Sequence, residues 1–271
     1  MLDSAPEHSS ISLVDPADPP GAQQTSPAAN VPRRTLPVER LGAFIEILLC
    51  SGIPTQVLVV IALTHFGLRS RTADGGLSPP FIVAMSLIDM VLVLSLVCLF
   101  LRAHHEPVRL FLTGGRRAGR EALLGLALIP AALALLIVVL ALILTFKPEL
   151  HNVPINPFER MLQTPRDAAI FAVVVMLAGG VREEIQRAFI IRRFDQYLGG
   201  GLVGIVMYSG VFGLGHLDQG YAAAIATGAL GAGWGLVYWS RGSVLAPVIS
   251  HAGFNLAQLV KYVTLATFST N

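Results

Sequence analysis

Charged residues are scarce in this sequence. They make up 13% of its 271 residues, whereas hydrophobic residues make up 54%, and a soluble domain usually carries about 25% charged residues. This composition excludes an ordinary soluble domain and predicts an all-α, polytopic membrane bundle surrounded by lipid. The net charge is only +2, and the basic residues cluster between apolar runs, so we expect no nucleic-acid partner.

Cysteine is almost absent as well. Cys50 and Cys98 both lie in apolar runs, so the sequence contains neither a disulfide framework nor a Cys/His metal pattern. Residues 1–36 are rich in Pro, Ser, Ala and Asp, and they lack the basic start and apolar region of a signal peptide. We therefore predict that they form a disordered N-terminal tail.

Apolar runs divide the rest of the chain into about seven transmembrane helices. Three are predicted within residues 37–146, the first as one span over residues 41–66. A proline-rich loop is predicted at 147–166, and four more helices form a core at 167–271. The placement of Lys and Arg predicts a cytoplasmic N-terminus in the cell membrane.

The fourth predicted span carries Arg182, Glu183, Glu184 and Arg187 within its apolar sequence. A charge at the centre of a span costs roughly 2.5–3.5 kcal/mol, so four would cost on the order of 10 kcal/mol. This segment is therefore not expected to face lipid. Its charges must be paired, lie in a watery cavity or sit near the membrane interface.

Other polar residues in the last four spans are placed to meet these carboxylates. Glu184 and His216 lie equally far from Gly200, on either side of the glycine turn that joins spans four and five. If both spans are helical there, the two side chains lie at one depth. His251 and Asn255 are one turn apart in the last span and share a face. We predict that these side chains converge.

Charges in the remaining spans favour other interpretations. Asp89, deep in the second span, favours a proton-coupled transporter or relay. Glu46 is expected near the cytoplasmic end of the first span. Arg192 and Arg193 are expected to anchor the fourth span at the membrane interface. We find no internal repeat of the kind common in transporters, and the paired polar residues lie in the last four spans. This asymmetry favours an enzyme.

In these motifs the sequence resembles the CPBP family of intramembrane glutamic endopeptidases, which includes CAAX prenyl proteases and bacteriocin-immunity proteins. The family pattern is a double Glu followed by Arg, then F-x-x-x-H, then H-x-x-x-N, each in a separate span. The matching residues are Glu183, Glu184 and Arg187, then Phe212 and His216, and finally His251 and Asn255.

The resemblance implies an intramembrane hydrolase that cleaves a membrane-associated peptide or protein, lipidated or not. A Glu would activate water, one His would hold that water, and the second His with Asn would stabilise the oxyanion. No cofactor is implied, with zinc as an alternative. A non-proteolytic scaffold or immunity protein of the same fold stays open, as does a transporter.

One departure from the family pattern concerns the catalytic carboxylate. The family spaces its motif E-E-x-x-x-R, whereas this sequence reads E-E-x-x-R. Aligning the arginine places the family's first Glu on Arg182 and its second on Glu183. Aligning the Glu pair instead displaces Arg187 by one residue. The sequence leaves open which of Glu183 and Glu184 is the general base.

Overall fold

The computed structural model describes residues 35–73, 75–154, 156–158, 161–162 and 164–269, with side chains described as far as Lys261. The predicted disordered tail lies outside the described residues except for its last two, Thr35 and Leu36. Within the described part of the chain the regular structure is helical, and the extended pairing is an isolated bridge between Arg71 and Leu77. The all-α prediction is confirmed.

Five α-helices occupy the N-terminal region: α1 Pro37–Cys50, α2 Ile53–His65, α3 Pro79–Ala103, α4 Val108–Thr113 and α5 Ala118–Phe146. The predicted first span, residues 41–66, is formed by α1 and α2 in succession. The chain breaks at Ser51 and Gly52, where Gly52 adopts a φ of 83° that side-chain-bearing residues rarely adopt. Pro54 lies in the first turn of the new helix, where its missing N–H costs nothing.

The C-terminal region begins with one long helix in three parts: α6 Pro165–Val174, a π-helical segment Val175–Arg182 and α7 Glu183–Tyr197. It continues with α8 Gly201–Leu214, α9 Tyr221–Arg241 and α10 Leu245–Ser269. Helix α6 starts slightly before the predicted end of the loop because Thr164 and Asp167 form a reciprocal capping box.

Among the described residues, four helical segments are long and apolar enough to cross a membrane by length and composition: Pro37–His65, Pro79–Ala103, Ala118–Phe146 and Tyr221–Arg241. Helix α8 is apolar but shorter. The described part of the chain is therefore that of an integral membrane protein. The predicted cytoplasmic N-terminus and cell-membrane location stay predictions.

Helix α7 lies at the centre of the bundle. It packs against α1, α3, α8, α9 and α10, and Phe189, Ile190 and Ile191 are buried in the main hydrophobic core. Surrounding helices thus replace lipid on all sides of α7, which explains how a helix with so many charges is accommodated within an apolar chain.

Candidate active site

The carboxylates lie directly after the π-helical segment. Gly179 and Gly180 let α10 approach this segment closely, because a Cβ on Gly180 would lie 2.7 Å from the Ala252 Cβ. At the same contact Asn255 donates from Nδ2 to the Val175 carbonyl over 3.1 Å. Isolated π-helical turns are frequent at functional sites. Here the segment brings the first turn of α7 against the polar face of α10.

Glu184, Arg187 and His251 form a buried polar cluster. The Glu184 and Arg187 side chains are each 1% exposed, and Arg187 donates to Glu184 from Nη1. His251 Nδ1 lies 2.7 Å from Glu184 Oε1. A carboxylate acceptor at that distance places the proton on Nδ1 and fixes the imidazole orientation, as carboxylates bonded to functional histidines do in other enzymes.

Arg187 therefore pairs with the second of the two glutamates. The one-residue departure from the family spacing is compatible with this pairing, because residues three and four apart lie on the same helix face. The Arg187 guanidinium also lies 4.5 Å from the centroid of the Phe212 ring. Phe212, the first residue of the F-x-x-x-H motif, thus contacts the charged cluster directly.

Glu183 points the other way, into a cavity. Its side chain is 17% exposed, and it lines a cavity of about 950 Å³. Glu183 Oε2 lies 3.9 Å from His251 Nε2, and its Oε1 lies 3.9 Å from Arg182 Nη1. The structure thus gives the two glutamates different surroundings: Glu184 is enclosed by partners, and Glu183 is open to the cavity.

His216 lines the same cavity but not from within a helix. The prediction that span five continues through His216 was wrong: α8 ends at Leu214, and a short 3₁₀ turn follows at Leu217–Gln219. Glycines at 213 and 215 weaken the helix there. The His216 ring packs 4.8 Å from the Phe212 ring, centroid to centroid. Its Nδ1 lies 2.8 Å from the Phe212 carbonyl, which only accepts, so Nδ1 carries a proton.

Asn255 and His251 complete the wall of the cavity from α10. Trp234 stacks on the His251 ring at 3.9 Å with a 14° interplanar angle and is itself held by a hydrogen bond from Nε1 to Ser250 over 3.0 Å. Sequence analysis missed Trp234, since a tryptophan in a glycine-rich apolar helix carries no signal of a polar neighbour.

A metal site is not evident among the side chains that the structure describes. No group of three His, Cys, Asp or Glu residues is placed to hold an ion in that part of the chain. Metal independence stays a prediction for experiment.

Comparison with known families bears on the same segment. Residues 165–257 match the family model described as type II CAAX prenyl endopeptidase, Rce1-like. Over this segment the chain is similar to the Rce1-like family. The predicted resemblance to CAAX-type membrane proteases is confirmed at the level of the family, which is a family of hydrolases. No curated protein and no solved structure matches the chain.

The Rce1-like segment covers roughly a third of the chain and contains the Glu pair, both histidines and Asn255. It does not contain Asp89 of α3, which hydrogen bonds with Arg182. Sequence analysis treated Asp89 as a possible proton relay. In the structure its Oδ1 accepts from Thr55 over 2.5 Å and its Oδ2 from Arg182, so both oxygens are engaged.

Proposed function

We propose that this protein is an intramembrane endopeptidase in which Glu183 is the general base. The observation that carries the proposal is the contrast between the two glutamates. Glu183 faces the cavity beside His251, whereas Glu184 is enclosed by Arg187 and His251. A general base must reach the proton that it removes, and Glu183 is the carboxylate that a water in the cavity can reach.

The proposed reaction begins with a water within hydrogen-bond reach of Glu183. Glu183 takes one proton while the water oxygen attacks the carbonyl carbon of the scissile peptide bond. His216 assists in holding this water, because its Nδ1 proton is directed to the Phe212 carbonyl and the neutral ring leaves Nε2 as an acceptor. The C–O bond forms, and the carbonyl oxygen becomes an oxyanion.

Asn255 and His251 are the proposed oxyanion donors. Asn255 uses one Nδ2 proton on the Val175 carbonyl and has a second available, since an amide nitrogen carries two. When protonated, His251 donates from Nε2 while Nδ1 stays bound to Glu184. Collapse of the intermediate breaks the C–N bond, and the proton on Glu183 passes to the leaving nitrogen. The products are a carboxylic acid and an amine.

The substrate class follows from the cavity and from the family. Apolar side chains of three helices, Ile82, Leu136 and Phe171, line the cavity together with the polar residues. The family description names prenylated CAAX proteins as the substrate type of its members. We therefore propose a membrane-associated peptide or protein substrate and take a prenylated CAAX peptide as the first to test.

The test is cleavage of a prenylated CAAX peptide and its non-prenylated counterpart by purified protein in detergent. Glu183→Gln should abolish cleavage while leaving the thermal unfolding temperature close to wild type. Glu149→Gln is the control, because Glu149 is exposed and forms only a long surface pair with Lys147. Full activity of the Glu183→Gln variant would overturn the assignment of the base. Cleavage of neither peptide, nor of a panel of membrane-anchored peptides, would favour a non-proteolytic scaffold.

A further inference from the structure

Arg182 lies between the candidate base and the N-terminal helices. Its Nη2 hydrogen bonds with Asp89 of α3, and its Nη1 lies 3.9 Å from Glu183 Oε1, a distance too long for a hydrogen bond. The guanidinium is thus bound to the aspartate and only near the glutamate. Asp89 is in turn fixed on its other oxygen by Thr55 of α2.

The break between α1 and α2 accommodates this arrangement. A Cβ on Gly52 would lie 2.6 Å from Arg182 Nη2 and 3.2 Å from Gln186 Nε2. Gln186 donates to the Cys50 carbonyl over 2.6 Å and so satisfies one of the carbonyls freed where α1 ends. The side chains of Arg182 and Gln186 therefore pack against the break between α1 and α2. Thr55 of α2 and Asp89 of α3 together fix the position of the arginine.

We infer that Asp89 is a positioning residue for the proteolytic reaction: it holds the Arg182 guanidinium away from Glu183 and so keeps the Glu183 carboxylate free to accept a proton. The inference rests on the proposed function of Glu183. It assigns a role in the reaction to helices outside the Rce1-like segment. Without the negative charge of Asp89, Arg182 is released to form a direct ion pair with Glu183.

Charged and titratable groups of several helices lie around Glu183. These are Arg182, Glu184 and Arg187 on its own helix, Asp89 on α3, Tyr208 on α8 and His251 on α10, with His151, His216 and Lys261 lining the same cavity. A substitution at Asp89 alters the partner of one of these groups and leaves the other charges in place. Its effect on the pH profile is therefore interpretable.

The experiment compares wild type, Asp89→Asn and the double variant Asp89→Asn/Arg182→Gln. In Asp89→Asn, we expect kcat to fall about tenfold with KM nearly unchanged, and the acid limb of the pH–rate profile to move down by about one pH unit. In the double variant no arginine is left to capture Glu183, so the acid limb should return to wild-type pH or above. A purely structural role for Asp89 would lower activity in both variants without moving the acid limb, which would overturn the inference.

A matched control is available in the Glu121–Arg241 pair. Glu121 of α5 is fully buried and binds Arg241 of α9 at 2.5 Å, and neither residue lines the cavity. Glu121→Gln should lower the unfolding temperature, as Asp89→Asn does, without changing the shape of the pH–rate profile. A profile moved equally by Glu121→Gln would contradict a specific role for Asp89.

Failure of the inference and failure of the proposed function are distinguished by a second readout. Infrared difference spectra between each protein and its Glu183→Gln counterpart follow protonation of the Glu183 carboxyl without any substrate. If no cleavage is found, the proposed function fails, and a Glu183 titration midpoint that moves to lower pH in Asp89→Asn still supports the positioning. If cleavage is found but neither the midpoint nor the acid limb moves, the inference fails alone.

Discussion

Arg187 is the residue whose removal should most damage the stability of the site. Its side chain is 1% exposed and donates to the equally buried Glu184. Arg187→Met keeps the aliphatic stem and removes the charge, which leaves Glu184 with His251 alone. Removing one partner of a buried ion pair costs about 3–5 kcal/mol. The lost contact with the Phe212 face adds about 0.5–2 kcal/mol.

A loss of this size is a large fraction of the total stability of a typical protein, which is about 5–15 kcal/mol. We therefore expect Arg187→Met to unfold markedly below wild type in detergent, measured by thermal or denaturant unfolding. The double variant Arg187→Met/Glu184→Gln removes both charges, so neither is left buried without its partner. Its loss should be smaller than that of the single variant, because neutral replacement of a buried pair is often tolerated.

The matched surface control is Lys147→Met. Lys147 and Glu149 are both exposed, with Nζ and Oε1 3.7 Å apart, and such pairs contribute about 0–1 kcal/mol. If Arg187→Met is no more destabilising than Lys147→Met, the buried pairing is refuted. The cycle is completed with the single variant Glu184→Gln. If the stability loss of the double variant equals the sum of the losses of the two single variants, Arg187 and Glu184 are not energetically coupled.

Three further predictions address the ion network, the helix contact and the metal. Burial would raise the Glu106 pKa, but hydrogen bonds and charges of Arg193 and Arg192 lower it below its ordinary value of 4.5. This stabilisation is present above pH 4.5 and is lost as the pH falls through the folded pKa, so the unfolding-temperature gap between wild type and Glu106→Gln should close in acid. Gly180→Val should push α10 away and reduce both stability and cleavage in the same assays, whereas Gly210→Ala, with no atom within 4 Å of its Cβ position, should have little effect. A strong chelator should leave cleavage unchanged, and activity that is lost on chelation and restored by zinc would favour the zinc alternative.

The sequence predicted the membrane class and the gathering of the site because both depend on local patterns. Long apolar runs show where helices lie. Equal distances from the Gly200 turn placed Glu184 and His216 at a common depth, although α8 ends before His216. His216 lines the cavity from the connection between α8 and the 3₁₀ turn at Leu217–Gln219. Glu184 is not part of the cavity lining, because it is enclosed by Arg187 and His251.

Ion pairs between residues far apart in the chain could not be predicted from the sequence. Arg193 was predicted to anchor α7 at the interface, but it is fully buried, with Nε 2.6 Å from Glu46 and a further bond to Glu106. Glu46, which was expected near the cytoplasmic end, also bonds to His104 over 2.5 Å. No local pattern connects α1, the loop after α3 and the end of α7. Only the packing of helices shows that these charges neutralise one another.

The same distinction clarifies the unusual spacing of the glutamate motif. From sequence, the missing residue between the Glu pair and Arg187 allowed two alignments that differ in the candidate base. The structure supplies two contacts that favour aligning the Glu pair itself: Arg187 binds Glu184, and Arg182 binds Asp89. Under the other alignment Arg182 would occupy the position of the first family glutamate. Its guanidinium, however, is hydrogen bonded to Asp89 of α3. Residues three and four apart lie on the same helix face. An arginine three residues after the second glutamate can therefore form the same ion pair as one four residues after it, and the spacing alone does not show which alignment is correct.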